Sequence, residues 1–360
     1  MKRLRVGIIG QGRSGNDIHG HTMSLLPRYF DIVAVVDPLK VRRDNSAAKF
    51  QCETYKDHRA LLKRDDLDLV VNATPNHLHV PIALELLKTG HNVLVEKPLA
   101  RKVKDVDRLV AAADKAGVVF AVFQQSRFAP YFEQVRKVID SGVLGRIVQV
   151  KISFSGFARR WDQQTLTAWD GGNLMNTGPH PLDQALRFMD LPLDTVPEVF
   201  CCMDNAHFFG DAEGHVNLTM RAPDAPIIDL EISSCKAYPT HVYQVYGTQG
   251  GLKASMTDVE WRYYNPAEAP RRRATTVPIH NADNSPGYCG ETLKWTTRRW
   301  KVPPSKRELF DFMSMAFYRM LHKHITLGAP LAVTVDQVRQ QVAVIEACHR
   351  QNPHIWAQKK

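Results

Sequence analysis

Two segments, Val6-Gly-Ile-Ile-Gly10-Gln11-Gly12-Arg13-Ser14-Gly15 and His91-Asn-Val-Leu-Val-Glu96-Lys97-Pro98-Leu99, decide the fold. In the first, a short apolar run leads into Gly-x-Gly-x-x-Gly, and helical periodicity begins behind it. The first glycine permits a tight turn, the second lets the backbone approach a pyrophosphate, and the third lets helix and strand pack closely. The N-terminal end of the helix adds N–H groups and partial positive charge, and Arg13 a full one. Gln11 and Ser14 belong to the same cradle. In the second segment a buried strand ends at Lys97. Pro98 disfavours helix for the residue before it, so the lysine is held extended at the strand tip. Ligands of open α/β sheets bind at that end of the strands.

Outward from these segments, the first 124 residues alternate strand and helix. Apolar runs rich in Val and Ile at 4–9, 32–36, 67–72, 92–95 and 118–123 read as strands buried on both faces. Helical stretches near 14–26, 39–50, 57–64, 78–89 and 103–116 separate them. The rhythm predicts a Rossmann-type, doubly wound parallel sheet. Asp37 ends the second strand. A carboxylate there accepts hydrogen bonds from the adenosine ribose hydroxyls and repels a 2′-phosphate, which favours NAD. NADP stays open because Arg42 and Arg43 follow closely.

From residue 125 the pattern changes. A helix over 131–141 precedes longer strand-like stretches at 147–154, 215–220, 227–233 and 241–246. Alternation along Val148, Val150, Ile152 and Phe154 suits a sheet with one covered face. The expected organisation is a dinucleotide-binding domain over 1–124 and an α+β domain over 125–360 with an open-faced, mostly antiparallel sheet. Residues 264–290, with Pro266, Pro270, Pro278 and Pro286, read as a long surface arm. Ser305-x-x-Glu308 and Thr334-x-x-Gln337 carry capping-box signatures for two closing helices.

The 360 residues are 44% hydrophobic and 23% charged, ordinary for a globular protein. No run of 18 apolar residues spans a membrane, and the basic start leads straight into the glycine motif, so it reads as strand and not as a signal peptide. Six scattered cysteines, with Cys201 and Cys202 adjacent, fit a reduced, cytoplasmic chain. The net charge is +10, and basic residues crowd the carboxyl half at Arg271–Arg273, Arg298, Arg299 and Lys301. No recognition-helix or zinc-finger pattern accompanies it, so a solvated face or a subunit contact is expected and nucleic acid is not. His19-x-His21 and His77-x-His79 diverge on or beside helices, and no metal site is expected.

The glycine motif, Asp37, Thr74-Pro75-Asn76-x-x-His79 and Val-Leu-Val-Glu96-Lys97-Pro98 resemble the Gfo/Idh/MocA oxidoreductases, which include glucose–fructose oxidoreductase and inositol 2-dehydrogenase. The likeness continues through Arg127-Phe128, through Gly171-Gly172-Asn-Leu-Met-Asn176-Thr-Gly178-Pro-His180-Pro-Leu-Asp183, and through Tyr246-Gly247-Thr248-x-Gly250-Gly251. The resemblance implies a cofactor held by the glycine loop, Asp37, Thr74, Pro75, Asn76, His79, Glu96 and Lys97. It implies that Lys97 contacts the reacting carbinol or carbonyl and that His180 is the general acid/base. Many relatives carry Asp where this chain has Asn176, so a carboxylate-assisted relay is in question and Asp183 is the candidate to replace the charge. Arg127, Trp161, Trp169, Asn176 and Asp183 form the expected substrate set for a sugar, inositol or sugar acid. A homodimer or homotetramer built through the C-terminal sheet is the expected assembly. An NAD-retaining glycosidase and a non-catalytic dinucleotide sensor are the alternative functions on the same scaffold.

Overall fold

Strands with no polar face have to be covered on both sides, and the first sheet is built that way. The computed structural model describes residues 2–356. Its first sheet holds β1 (Leu4–Ile9), β2 (Phe30–Val36), β3 (Glu53–Tyr55), β4 (Leu69–Asn72), β5 (Val93–Val95) and β6 (Phe120–Val122), all parallel, in the order β3-β2-β1-β4-β5-β6. Residues of β4 and β5 are buried throughout. The order reverses between β1 and β4, and at such a switch point the strand ends leave a crevice for a ligand. The edge strand β3 was not expected; three half-exposed residues carry too little periodicity to be seen.

Gly15 packs so tightly that a Cβ there would lie 1.7 Å from the Gly10 carbonyl oxygen. Gly10 has φ +88°, and its own Cβ would meet the Ala73 carbonyl, so neither position takes a side chain. Behind them the single helix expected over 14–26 is instead a π-helical stretch, Arg13–Gly20, followed by α1 (His21–Ser24). Residues 58–63, expected to be α-helical, form a 3-10 turn capped by Asp57. Helices α2 (Lys40–Phe50), α3 (His79–Lys88) and α4 (Val103–Ala116) lie where the periodicity placed them.

The second sheet holds β7 (Ile147–Ser155), β8 (Glu198–Asp204), β9 (His215–Arg221), β10 (Ile227–Ser233), β11 (Tyr243–Gly247), β12 (Gly250–Ala254), β13 (Asp258–Tyr264) and β14 (Trp295–Lys301). Its order is β14-β13-β12-β11-β7-β10-β9-β8, antiparallel except where β10 runs parallel to β7. Helices α5 (Pro130–Asp140) and α7 (Pro179–Met189) cover one face, closing a core that includes Val150, Ile152, Leu218 and Leu230. The other face presents polar side chains, among them the Lys151–Asp229 and Lys236–Glu231 ion pairs. The short helix α6 (Asn173–Asn176) precedes α7. The chain between β13 and β14 is the expected irregular arm, interrupted by one His280–Pro286 bridge.

Helices α8 (Leu309–Leu327), α9 (Val335–Gln351) and α10 (Pro353–Trp356) end the described chain. At α9 the expected capping box forms: the Thr334 hydroxyl accepts the Gln337 N–H, and the Gln337 side chain accepts the Thr334 N–H. At α8 it does not. Residues 304–306 are drawn into a 3-10 turn, the helix starts at Leu309, and Glu308 is an N-cap without a side-chain bond. Both helices return to the first sheet. Phe317, Tyr318 and Leu321 pack with Leu4, Val6 and Ile8, while Val338 and Val342 pack with Ile9, Val36 and Val70 on its opposite face.

Candidate active site

A cleft of roughly 530 Å³ opens at the strand ends of the first sheet, a size that suits a small-molecule ligand. Gly10, Gly12, Arg13 and Ser14 line its floor, and Asp37, Thr74, Pro75 and Asn76 its walls. A Cβ on Gly12 would meet only the tip of Arg42, at 3.7 Å. The backbone there is bare to an approaching phosphate, so these residues fit a dinucleotide. Gln163, Gln164 and Trp169, from the chain that follows β7, complete the lining.

Asp37 is almost wholly buried. Its Oδ2 accepts the Gln11 N–H at 2.8 Å and its Oδ1 the Leu39 N–H at 2.9 Å, with Arg42 Nη1 3.4 Å from Oδ2. An ionised carboxylate has about four acceptor sites, so two backbone donors fix its orientation and leave capacity for a ribose. Gln11 contributes its backbone alone. Its side chain turns inward, where its Oε1 accepts the Ser46 hydroxyl, because an amide buried beneath the glycine turn must find partners there. Replacing Asp37 with Ser is expected to weaken NAD about tenfold or more, since one charge-assisted hydrogen bond is worth that much, and to improve NADP. Titration of the two cofactors against both proteins checks this, and a wild-type preference for NADP overturns it.

Lys97 stands at the tip of β5, half-buried, and its Nζ donates to the Asn176 carbonyl at 2.9 Å. The Lys97–Pro98 peptide is cis. Burial lowers the lysine pKa; Glu96 opposes this, while Arg13 and Arg160 add like charge. Glu96 turns away from the cleft. One oxygen accepts the Lys97 N–H at 2.9 Å, and the other lies 3.2 Å from His19 Nε2. His19 Nδ1 in turn hydrogen-bonds the Tyr318 hydroxyl at 2.6 Å. Burial works to raise the Glu96 carboxyl, but His19, Lys97 and His79 outweigh it and hold it down at about 2. A permanent anion therefore sits directly behind Lys97.

His180, at the start of α7, is brought to the same place. Its Nδ1 hydrogen-bonds the Ser126 hydroxyl at 3.1 Å, and Nε2 has no hydrogen-bond partner among the described residues. Burial, helped by the Lys97 charge, pushes its pKa down to about 3. The neighbouring groups thus separate into a lysine backed by a carboxylate and a neutral imidazole with one nitrogen free, the split that assigns acid and base roles in a site.

Several expected contacts are corrected. Arg127 and Asp183 form a bidentate pair at 2.7 and 2.6 Å, and Arg127 also donates to Gln337 and to the Ala332 carbonyl. The pair joins the loop after β6 to α7 and α9, and neither Arg127 nor Asp183 lines the cleft. Glu96 and His79 support the cofactor segment without facing it. His79 is buried between the Pro98 and Thr74 carbonyls, 2.7 and 2.8 Å from its ring nitrogens. Burial lowers its pKa first and foremost, and a neutral ring donates to one carbonyl at a time. Trp161 is 79% exposed and stands outside the cleft lining, whereas Trp169 lines it and meets His77 edge-on. Asn176 meets Lys97 through its carbonyl, not its amide. Ser126, His19, Tyr318 and Arg160 were not anticipated; short-range spacing carries no signal for them. Among the described residues no group of three His, Cys, Asp or Glu is placed to hold a metal ion, and no helix is long and apolar enough to cross a membrane.

Residues 4–124 match the oxidoreductase family with the NAD-binding Rossmann fold, and residues 132–253 match the GFO/IDH/MocA C-terminal domain. The chain belongs to the Gfo/Idh/MocA oxidoreductases. It is 24% identical over 351 residues to scyllo-inositol 2-dehydrogenase (NADP(+)) of Bacillus subtilis, covering 96% of this chain and 92% of that one. It is 28% identical over 265 residues to 2,7-anhydro-N-acetylneuraminate hydratase of Mediterraneibacter gnavus, covering 72% and 69%. The WlbA dehydrogenase of Bordetella pertussis, solved with NADH and UDP-GlcNAcA, superposes with a TM-score of 0.75 over 97% of this chain and 95% of that one at 20% identity, a likeness of fold.

Proposed function

We propose that this family member is an NAD-dependent oxidoreductase acting on a secondary alcohol or ketone of a sugar, inositol or sugar acid, with residues 1–124 binding the cofactor and 125–360 the substrate. The observation that carries this reading is the charge coupling of Lys97 and His180 beside the glycine-turn cleft, brought together from either side of residue 125, with Lys97 Nζ held by the Asn176 carbonyl just ahead of the helix that carries His180. The bound nicotinamide supplies the hydride acceptor. Lys97 directs its ammonium at the reacting oxygen and stabilises alkoxide charge as it develops. His180, kept neutral by burial and by the lysine, takes the hydroxyl proton on Nε2 while Ser126 steadies the ring. Asn176 serves by holding the lysine, a task its carbonyl performs whatever its side chain. A screen of polyols, sugars and sugar acids with NAD and NADP, followed by reduced-cofactor absorbance, tests the reading; no turnover with any of them counts against it.

A second reading, in which the cofactor stays bound through a reaction without net redox change, is supported by the loop that closes on the cleft. The Asn76 amide donates to the Asp170 carbonyl at 2.9 Å, and Arg101 pairs with Asp170 at 3.2 Å. These contacts tie 163–170 over the dinucleotide walls. A relative named for hydration, a reaction without net redox change, lends that reading support. Cofactor that co-purifies and survives dialysis separates it from the first.

A second copy of the chain is the proposed occupant of the uncovered sheet face, whose ion-paired side chains suit a polar subunit contact. Sedimentation at micromolar concentration is expected to give a dimer or tetramer; a monomer refutes it.

A further inference from the structure

Glu213, in the connection between β8 and β9, has no exposed surface. One carboxylate oxygen accepts the Leu174 N–H at 2.9 Å and the other accepts Trp356 Nε1–H at 3.0 Å. Its backbone carbonyl accepts the Asn173 N–H at 2.9 Å. Gly172 has φ +92°, and a Cβ there would lie 2.3 and 2.4 Å from the two carboxylate oxygens. The turn 171–176 is therefore moulded around this carboxyl group, which fills the place a side chain at 172 would take. Only a carboxylate of this length accepts at both ends, since a glutamine offers one oxygen and turns an N–H toward the other donor.

Trp356 carries the arrangement further. Its indole stacks on His349 with ring centres 4.0 Å apart, and the Arg101 guanidinium lies 4.5 Å over its face. Arg101 also pairs with Asp170 at 3.2 Å, and it follows Lys97 on the segment leaving β5. The indole thus joins the end of the described chain to the base of the turn and to the segment that holds the lysine. The turn ends at Asn176, whose carbonyl receives Lys97 Nζ, and His180 begins the next helix.

We infer that Glu213, braced by Trp356 and Arg101, is a positioning residue that sets the height of the 171–176 turn and hence the meeting of Lys97 with His180. The activity half of this inference rests on the proposed dehydrogenase reading; the structural half does not. Burial raises the Glu213 carboxyl to about 7 against the hydrogen bonds that favour its anion. The charged and titratable groups that act on it are Arg101 and Cys348, whose thiol is raised through its contact with Cys201; His349, on the far side of the Trp356 ring, is held down at about 3 by burial. Near neutrality Glu213 is therefore the member of this cluster that changes charge. Protonation converts one acceptor oxygen into a hydroxyl that holds its N–H more weakly, so the turn is firmest above pH 7.

The experiment compares the full-length wild type, Glu213→Gln and Trp356→Phe. Wild-type tryptophan emission is expected to shift with a midpoint near pH 7, and the shift should vanish in Glu213→Gln and, with its reporter gone, in Trp356→Phe. Both variants should lose about tenfold in kcat with the KM for NAD unchanged; the limb of the kcat profile near neutrality should vanish in Glu213→Gln and move to higher pH in Trp356→Phe, where the carboxyl loses one donor to its anion. A flat wild-type emission profile overturns the inference, and so does wild-type kcat with an unaltered pH profile in both variants while Lys97→Ala is inactive. Full activity in Lys97→Ala removes the dehydrogenase reading, and the emission shift alone then decides for or against Glu213. If Glu213→Gln fails to fold, the difference between wild type and Trp356→Phe still decides.

Discussion

Lys97→Ala is expected to lower turnover roughly 10³-fold, the scale on which loss of one preorganised donor to a developing oxyanion is felt. The cofactor cleft is formed by the glycine turn, Asp37 and the 74–76 loop, so NAD affinity should not change. The buried Glu96 makes the loss more than a missing donor. Held as an anion at about 2 by its neighbours, it would lose the ammonium that now offsets its charge, and the site would turn net negative behind the reacting oxygen. Single-turnover rates and cofactor titration measure the two effects separately. Undiminished turnover would leave a dinucleotide-binding protein whose chemistry, if any, lies elsewhere.

His180→Ala should cost about 10²-fold in turnover, as removal of a positioned acid/base group does. Its effects should overlap with those of Lys97→Ala, because each group orients the other, so the double variant should lose less than the product of the single losses. A separate signature lies in stability. The folded-state pKa of His180 lies near 3, below the ordinary imidazole value, so between about pH 6.5 and 3 the unfolded chain binds the proton and the folded chain does not. The wild type should therefore lose stability as pH falls through that window, and His180→Ala should lose less of it. Melting temperatures at pH 7 and pH 5 show the difference; equal losses in both proteins would contradict the buried, neutral ring.

The parts that were legible in the sequence are those that local chemistry dictates. The runs at 67–72 and 92–95 read as doubly buried strands, as β4 and β5 are, and the three glycines read as a tight turn, as Gly10 and Gly15 make. The Lys97 position followed from the strand before it and the proline after it. What was not legible depends on pairs far apart in the chain. Tyr318 supports Glu96 through His19, and Trp356 supports Leu174 through Glu213; no periodicity announces either. The pairing of Arg127 with Asp183 was not legible either, because polar residues near a motif look separate until the fold brings them together. The β13–β14 ribbon escaped because its strands are mostly exposed and the arm between them hides the hairpin, while the basic residues of β14 read as a patch.

The return of α8 and α9 to the first sheet has a consequence for how the protein is made. Both faces of the N-terminal sheet are sealed by residues beyond 310, with Phe317, Tyr318 and Leu321 on one side and Val338 and Val342 on the other. On a translating ribosome the cofactor-binding sheet keeps apolar surface bare until residues 317–342, some two hundred positions later, have followed it. Domains usually complete themselves in the order of synthesis; here the sheet domain waits for helices that follow the second sheet. A premature stop shortly before residue 310 would cost the N-terminal half its packing as well as the chain its closing helices, and such fragments would fall to proteases and chaperones as a whole.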